Sequence, residues 1–335
     1  MAGPEISVII PVKNAGTIFA ECLASIRASR GVSYEIVVVD DGSSHPNTRE
    51  EAQKFTCRLI SLPRSHGPSN ARNIGAENAH GDILFFIDSD VVIYPDTLKK
   101  ISDIFNDPAI TGITGVQSPE IRFKNFYSQF KNLWMRYTYL RLPEKVALFY
   151  TSCAAIKKDL FLQSGGFDIG YTRPSVEDTD FGHKLEHMGH LVQLRRDIEV
   201  EHVKSYTLIQ VLKTDFHRSS DLVKMMLRNG LKKIFSGNQT SVPSSFQGNI
   251  ILFLSSLLVL PCWFFYPRLF PVWLLLLASA PFFLFLLNHS LLSWLKKQKG
   301  GFFALKSYFF LIFDIPIVTA GVLFGLADFC CDHKY

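Results

Sequence analysis

Two short acidic runs in this 335-residue chain have the composition to hold a ligand: Asp40-Asp41-Gly42-Ser43-Ser44 and Asp88-Ser89-Asp90. Four carboxylates brought together repel one another unless a cation or ligand hydrogen bonds offset the charge. The chain has no G-x-G-x-x-G after its first apolar run and no G-x-x-x-x-G-K-[ST] anywhere, so neither glycine-rich phosphate cradle is present. A nucleotide bound here needs a divalent ion to bridge its phosphates, and Asp88-Ser89-Asp90 could hold one. A third acidic pair, Glu177-Asp178, opens an expected helix over Thr179–Met188, after the Gly165-Gly166 turn. The helix dipole alone favours acidic residues there, so that position defines no role by itself.

The apolar pattern names the elements that must position these residues. Ile6–Ile10, Glu35–Asp40, Arg58–Leu62 and Ile83–Ile87 are β-rich runs, each followed by a turn and a helical stretch. Buried strands alternating with helices predict a parallel, doubly wound sheet. Ligands bind such sheets beyond the carboxyl ends of the strands, where Pro11-Val12-Lys13-Asn14 and both acidic runs stand. Strand alternation carried past Ile87 puts Asp88 and Asp90 on one side and Ser89 on the other.

Hydrophobic residues make up 47% of the chain and charged residues 19%, which excludes a disordered or fibrous protein and is too apolar for an ordinary soluble enzyme. From Ile234 to the end there are only nine charged side chains in 102 residues. Three apolar stretches lie there, 250–267, 269–287 and 307–327, each near the roughly 20 residues that cross a bilayer. The first two read as a helical hairpin turning at Pro267-Arg268. Lys296, Lys297 and Lys299 in the expected loop before the third stretch, with Lys306 following, place that loop in the cytoplasm. The expectation is a multi-pass protein of the cell (inner) membrane with its soluble domain cytoplasmic and Asp328–Tyr335 outside. The sequons at Asn238 and Asn288 then read as chance. Asp314, inside the third stretch, is costly there unless it is paired or faces water, which marks it as a candidate functional residue; the alternative places it beside a kink at Pro316, bonded to a neighbouring Ser, Tyr or backbone group.

Residues 204–233 carry seven basic and two acidic side chains. That concentration just before the first apolar stretch suits anionic lipid headgroups and argues against nucleic acid, whose binders spread basic surface over the folded domain. Leu208–Phe235, with Leu212, Phe216, Leu222, Met226 and Leu231 on one side, reads as an amphipathic helix or helix pair lying in the membrane plane. Phe123, Tyr127, Phe130, Trp134 and Tyr137 recur at helical spacing; they read equally as a face packed on the sheet or as an aromatic surface at headgroup depth. The six cysteines show no pairing pattern, so no disulfide framework or zinc site is expected, Cys330-Cys331 beside His333 included. The apolar run Ile6–Val12 is too short for a signal peptide.

The ordered blocks I-S-V-I-I-P-V-K-N, V-V-V-D-D-G-S-S, G-P-S-N-A-R-N-I-G, F-F-I-D-S-D and G-G-F-D…V-E-D-T-D-F-G-H-K-L resemble the family 2 glycosyltransferases of the GT-A fold, over roughly Ile6 to His202. The resemblance implies an α/β, Rossmann-like nucleotide-sugar domain with a mostly parallel sheet at 1–203. A basic interfacial segment at 204–248 and an all-α membrane domain at 249–335 complete the expected chain. It implies that Pro11 and Val12 meet the nucleotide partly through backbone. Asp40 accepts from a uracil N–H, for which an acceptor-only carboxylate is apt, or else closes an Asx turn; Asp41 with Gly42 is the expected turn former. Arg72 faces the base or diphosphate, although without the family it reads as an exposed helix charge. Asp88 approaches the ribose and the ion, and Asp90 ligates the ion, with Mg²⁺ or Mn²⁺ the fitting cofactor. His202 matches a histidine that closes the metal site in part of the family, which shifts preference towards Mn²⁺, or it is structural. Lys204 and Arg218 are candidate diphosphate clamps. Glu177 and Asp178 match the pair that supplies the general base, with Asp178 the usual one and Asp180 the false candidate.

The function this implies is inverting transfer of a sugar from a nucleotide sugar, expected to be UDP-linked, to a hydroxyl of a lipid-linked or membrane-associated acceptor. Three rivals stand beside it. A polyprenyl-phosphate transferase needs no base, because its nucleophile is already ionised. A processive synthase carries a Q-x-x-R-W block, absent here. A non-catalytic nucleotide-sugar-binding membrane protein needs no intact acidic pairs.

Overall fold

The four apolar runs are strands in the computed structural model, which describes residues 3–230, 242–265, 268 and 270–331. The chain divides into two units, the first made mainly of residues up to Lys124 and Tyr139–Ser205, the second of Asn125–Thr138 and the described residues from Tyr206 onward that lead into the C-terminal helices.

The first unit carries strands β1 (Ile6–Val12), β2 (Tyr34–Asp40), β3 (Arg58–Ser61), β4 (Ile83–Phe86), β5 (Val91–Ile93), β6 (Gly112–Gln117), β7 (Lys145–Val146), β8 (Ala154–Lys157) and β9 (Val192–His202). Its helices are α1 (Thr17–Arg27), α2 (Asn47–Lys54), α3 (Pro68–Glu77), α4 (Thr97–Phe105), α6 (Lys158–Gln163) and α7 (Glu177–His187). The strands form one sheet in the order β3-β2-β1-β4-β8-β6-β9-β5, with β7 beside β9. The half from β3 to β4 is parallel; beyond it β4–β8, β8–β6, β9–β5 and β9–β7 are antiparallel, while β6–β9 is parallel. The sheet is therefore mixed, and the doubly wound expectation describes its first half. The central strands β1, β2 and β4 are buried almost throughout, which is why they read as unbroken apolar runs rather than as an alternation. Phe86, Phe149, Phe161, Phe167 and Phe181 pack together as the aromatic core under α7 and the end of β4.

The second unit is helical: α5 (Phe126–Leu140, whose last two residues belong to the first unit), α8 (Leu208–Asn229), α9 (Ser244–Phe265), α10 (Phe270–Lys299) and α11 (Gly301–Cys330). The aromatic stripe of α5 packs on these helices. The Phe130 ring stands 4.8 Å from Phe310, Tyr137 stands 5.5 Å from Trp294, and Trp134 stands 5.8 Å from Phe246. α8 starts on a capping box, with Thr207 accepting from Gln210 N and Gln210 accepting from Thr207 N, the reciprocal arrangement that satisfies two orphan helix donors. It packs backbone to backbone on α11: a Cβ on Gly325 would lie 2.5 Å from Ser220 O, and one on Gly321 would strike Ser219 Oγ and Phe216 O. Gly321-x-x-x-Gly325 is the small-residue spacing that lets helices approach this closely. Val211, Ser220, Asp221, Lys224 and Met225 are buried on α8, while Leu212 is partly buried against the helical core and the Phe216 ring stands 5.6 Å from Phe324.

Among the described residues two helices are long and apolar enough to cross a membrane, Ala278–Lys299 and Gly301–Cys330, where three were expected. Of α9, the described residues include the apolar segment Ser245–Leu257, and the remainder of the first expected stretch lies outside the residues whose side chains are described. The expected loop carrying Lys296, Lys297 and Lys299 is helix: α10 runs through Lys299, and Gly300, at φ +86°, separates it from α11. Lysines near a helix C-terminus complement its dipole and do not end it; a glycine in the left-handed region does. Asp314 is buried, yet no hydrogen bond reaches its Oδ1 among the described residues. The charges acting on it are Asp215 and Lys131, which pair with each other, so the expected Ser, Tyr or backbone partner is replaced by an ion pair nearby. Asn288 is buried in α10 and donates to Leu284 O, an enclosed place for a sequon. Leu231, Lys232, Lys233, Phe235, Asn238, Pro267 and His333 lie outside the described residues.

Candidate active site

The site is assembled at the carboxyl ends of β1, β2 and β4, where β9 also finishes. β1 and β2 run in register so that Val12 pairs with Asp40, and Asp41 N donates to Val12 O, leaving Pro11 and Val12 at the mouth of the strand pair. Asp40 is fully buried; its Oδ1 accepts from Ser43 N at 2.9 Å and its Oδ2 lies 3.4 Å from Arg49 Nε. The turn is closed by Asp40, not by Asp41. Asp41 instead accepts from Ser65 Oγ, His66 N and Gly67 N, pinning the loop that leads into α3. That loop needs glycine at 67, where φ is +95° and a Cβ would meet the Thr172 backbone at 2.7 Å.

α3 presents Arg72 inward. Far from being an exposed helix charge, its side chain is 4% exposed and bridges two carboxylates. Nη2 lies 2.8 Å from Asp88 Oδ1 and Nη1 lies 2.9 Å from Glu177 Oε1. The guanidinium also lies over the Phe167 ring at 5.7 Å. One residue on, Asn73 donates to Phe167 O and accepts from Phe167 N, tying α3 to the Gly165-Gly166 turn. A Cβ at Gly166 would lie 2.5 Å from Asn73 Oδ1, and φ there is +66°, so only glycine fits.

Asp88, Asp90 and His202 offer ligand atoms that all lie within 4.8 Å of one another. The two aspartates face together, but not through strand alternation: β4 ends at Phe86, and Asp88–Asp90 form a turn closed by Val91 N donating to Asp88 O at 3.1 Å. β5 then pairs antiparallel with β9 so that Val91 sits beside His202, and Val203 N donates to Asp90 O at 2.7 Å. His202 Nε2 lies 3.2 Å from Asp90 Oδ1. Burial alone would disfavour the imidazolium, but Asp90 and Asp88 outweigh it and hold His202 above its ordinary pKa. Burial likewise works against the Asp88 anion, and Arg72, His202 and the Ser152 hydroxyl overcome it, keeping this carboxyl below its usual range. Two carboxylates and an imidazole are a fitting donor set for a divalent cation of the Mg²⁺ or Mn²⁺ class. Lys204, two residues on, adds a positive charge near His202.

Glu177 and Asp178 occupy the first turn of α7, both buried. Glu177 is committed to Arg72 through Oε1 and to Ser175 N through Oε2, at 2.7 Å. Asp178 Oδ1 accepts from Thr179 N and from Thr179 Oγ1. Asp180 accepts from the Tyr171 hydroxyl. Arg218 lies on α8, in the second unit. Reading the sequence missed Ser152, which donates to Asp88 Oδ2 at 2.5 Å, and the pair Gln117 and Tyr150 beside His202. These residues carry no motif; their backbone placement alone brings them to the site.

This architecture is that of the GT-A glycosyltransferases. A mannosyltransferase from Pyrobaculum calidifontis, solved with GDP-Man and Mn²⁺, superposes with a TM-score of 0.60 at 19% identity, covering 98% of this chain and 88% of that one. Residues 7–165 match glycosyl transferase family 2. An uncharacterized glycosyltransferase of Haemophilus influenzae is 27% identical over 192 residues, 54% of this chain and 61% of that protein. The pre-mycofactocin glycosyltransferase of Mycobacterium tuberculosis is 29% identical over 195 residues, 55% of this chain and 40% of that protein. The matched region thus spans less than two thirds of either relative.

Proposed function

We propose that this protein is a membrane-bound, inverting glycosyltransferase that moves a sugar from a nucleoside-diphosphate sugar to a hydroxyl of a lipid-linked or membrane-associated acceptor. The observation that carries this reading is the convergence of Asp88, Asp90 and His202, joined through Arg72 to Glu177 at the start of α7. Asp88, Asp90 and His202 would hold Mg²⁺ or Mn²⁺, with the nitrogen ligand favouring Mn²⁺. Bound there, such an ion supplies positive charge that offsets charge developing on a leaving diphosphate. Pro11, Val12 and Asp40 line the nucleotide side, with uracil the base suited to Asp40, and Lys204 is the basic group for the diphosphate.

Asp178 takes the role of general base. Its carboxylate accepts the proton of the acceptor hydroxyl as that oxygen forms its bond to the anomeric carbon. The bond from that carbon to the diphosphate oxygen breaks on the opposite face, so one displacement inverts the centre. Glu177, already held by Arg72 and Ser175 N, is the positioning member of the pair. The apolar helices α10 and α11 support a cell-membrane location; in the proposed organisation, with catalysis at 1–203, a basic interfacial segment at 204–248 and a membrane domain at 249–335, they anchor the chain and deliver the acceptor. The lysines at the end of α10 favour a cytoplasmic α10–α11 junction, and a cytoplasmic catalytic domain then requires the expected stretch at 250–267 as a further crossing.

The test incubates native membranes with a panel of radiolabelled nucleotide sugars and extracts them. Label entering the lipid fraction, lost with EDTA and restored by Mn²⁺ or Mg²⁺, is the expected result. Nucleotide-sugar binding with no transfer to any membrane fraction would overturn the reading in favour of a binding protein.

A further inference from the structure

For His202 to ligate a metal through Nε2, that nitrogen must be bare, so the neutral ring carries its proton on Nδ1. A buried N–H needs an acceptor. Two groups reach Nδ1: the Tyr150 hydroxyl at 3.4 Å, which can accept from Nδ1–H, and the Gln117 amide nitrogen Nε2 at 3.3 Å, which can only donate, to a bare Nδ1 or to the Tyr150 oxygen. Gln117 and Tyr150 also bond each other at 2.5 Å. Their placement follows from the sheet. Gln117 ends β6 opposite Val200, two residues before His202 on β9, and Ser118 N fixes that register by donating to Val200 O. Tyr150 lies in the segment between β7 and β8, held by its N–H on Thr114 Oγ1 and by Cys153 N on its carbonyl. Both residues are buried. Two residues along the same segment, Ser152 donates to Asp88, so Tyr150–Ser152 touches two of the three donor residues from behind.

A phenol oxygen can accept from Nδ1–H while receiving a hydrogen bond from an amide, and it can donate to a bare Nδ1. The pair therefore satisfies His202 in either tautomer: proton on Nε2, facing Asp90, or proton on Nδ1, with Nε2 bare. Resting on the metal-centre reading above, we propose that Tyr150 and Gln117 are positioning residues that fix His202 as a nitrogen ligand and so set a preference for Mn²⁺ over Mg²⁺. The physical reason is selective. Partners behind a ligating histidine orient the ring and raise its basicity, and their loss typically costs about 10- to 100-fold in metal affinity. Imidazole suits the transition ion better than it suits Mg²⁺, which prefers oxygen and water. Loss of the Tyr150 hydroxyl should therefore fall on Mn²⁺, whereas loss of the Ser152 hydroxyl, which orients an oxygen ligand, should weaken both ions.

The experiment titrates the full-length protein in detergent with Mn²⁺, reading free aquo-ion by electron paramagnetic resonance, and then displaces it with Mg²⁺. Tyr150→Phe keeps the ring against Tyr139 and removes only the hydroxyl. It should weaken Mn²⁺ about tenfold while changing Mg²⁺ less than threefold. Ser152→Ala should lower both together. Tyr150→Phe added to His202→Asn should cost nothing further. Equal losses for both ions in Tyr150→Phe, unchanged Mn²⁺ affinity, or additivity with His202→Asn would overturn the proposal. Asp90→Ala separates the two readings. A Mn²⁺ site abolished by Asp90→Ala yet indifferent to Tyr150→Phe overturns this inference alone, and a wild-type protein with no Mn²⁺ site overturns both.

Discussion

Arg72 Nη1 meets Glu177 Oε1 at 2.9 Å across 105 residues of sequence, in a pair whose side chains are 4% and 5% exposed. The same guanidinium holds Asp88, so one cation joins the start of α7 to the metal-ligand turn. A planar fork that bonds two carboxylates at once is a property of arginine that lysine lacks. The pair also explains why Glu177 and Asp178, adjacent in sequence, are not equivalent: one is consumed in a buried ion pair, while the other lies one position along the first turn of the helix.

Removing Arg72 should therefore damage stability as well as chemistry. Arg72→Met leaves Glu177 buried without its cation, a change that typically costs about 3–5 kcal/mol. A clear drop in melting temperature is expected, with Arg72→Met/Glu177→Gln partly restored because the stranded charge is gone. Equal melting of wild type and Arg72→Met would contradict the bridge.

Transfer should depend on the Asp88-Asp90-His202 group. Asp90→Ala is expected to abolish it, and EDTA to silence the wild type until Mn²⁺ or Mg²⁺ is returned. Full initial rates in excess chelator would remove the metal from the mechanism.

The base should separate kinetically from the nucleotide site. Asp178→Asn is expected to lower kcat by about 10²–10⁴, the usual worth of a general base, with donor affinity nearly unchanged in a direct binding titration. Parallel loss of binding and turnover would make Asp178 a structural residue of the first turn.

Acid should act on the fold through Glu35. Burial opposes its ionisation, but the Ser7 hydroxyl and His80 bond it and carry its pKa below the ordinary value. A carboxyl lowered in the folded state stabilises above its unfolded value of about 4.3, and that contribution disappears as pH falls through the folded value. The melting temperature of wild type should exceed that of Glu35→Gln at pH 7, and the gap should close as pH falls through the lowered folded-state value. A gap independent of pH would mean that the carboxylate charge contributes nothing.

The close approach of α8 and α11 should be equally sensitive. Gly325→Leu places a side chain against Ser220 O and Cα, where backbone cannot yield. The variant should melt well below wild type in detergent, whereas Gly301→Ala, whose Cβ meets nothing within 4 Å, should not. Equal stability of Gly325→Leu and wild type would show that the two helices are not held at this distance.

The order of elements was legible in the sequence. Continuous apolar runs located β1, β2 and β4 because a strand buried on both faces admits no polar alternation, and the Asp-Ser-Asp and Glu-Asp pairs stood out because local chemistry marks them. Three conclusions needed the folded chain. The burial of Arg72 depends on two carboxylates 16 and 105 residues away, and helix α3 alone cannot reveal which side faces them. The facing of Asp88 and Asp90 comes from a turn beside β9, not from strand period. The partners of His202 arrive from β6 and from an irregular segment before β8, with no motif to announce them. Residue type and spacing along one element are local properties of the sequence. Which distant side chains share a buried space is set by sheet order and register, and these exist only once the strands have paired.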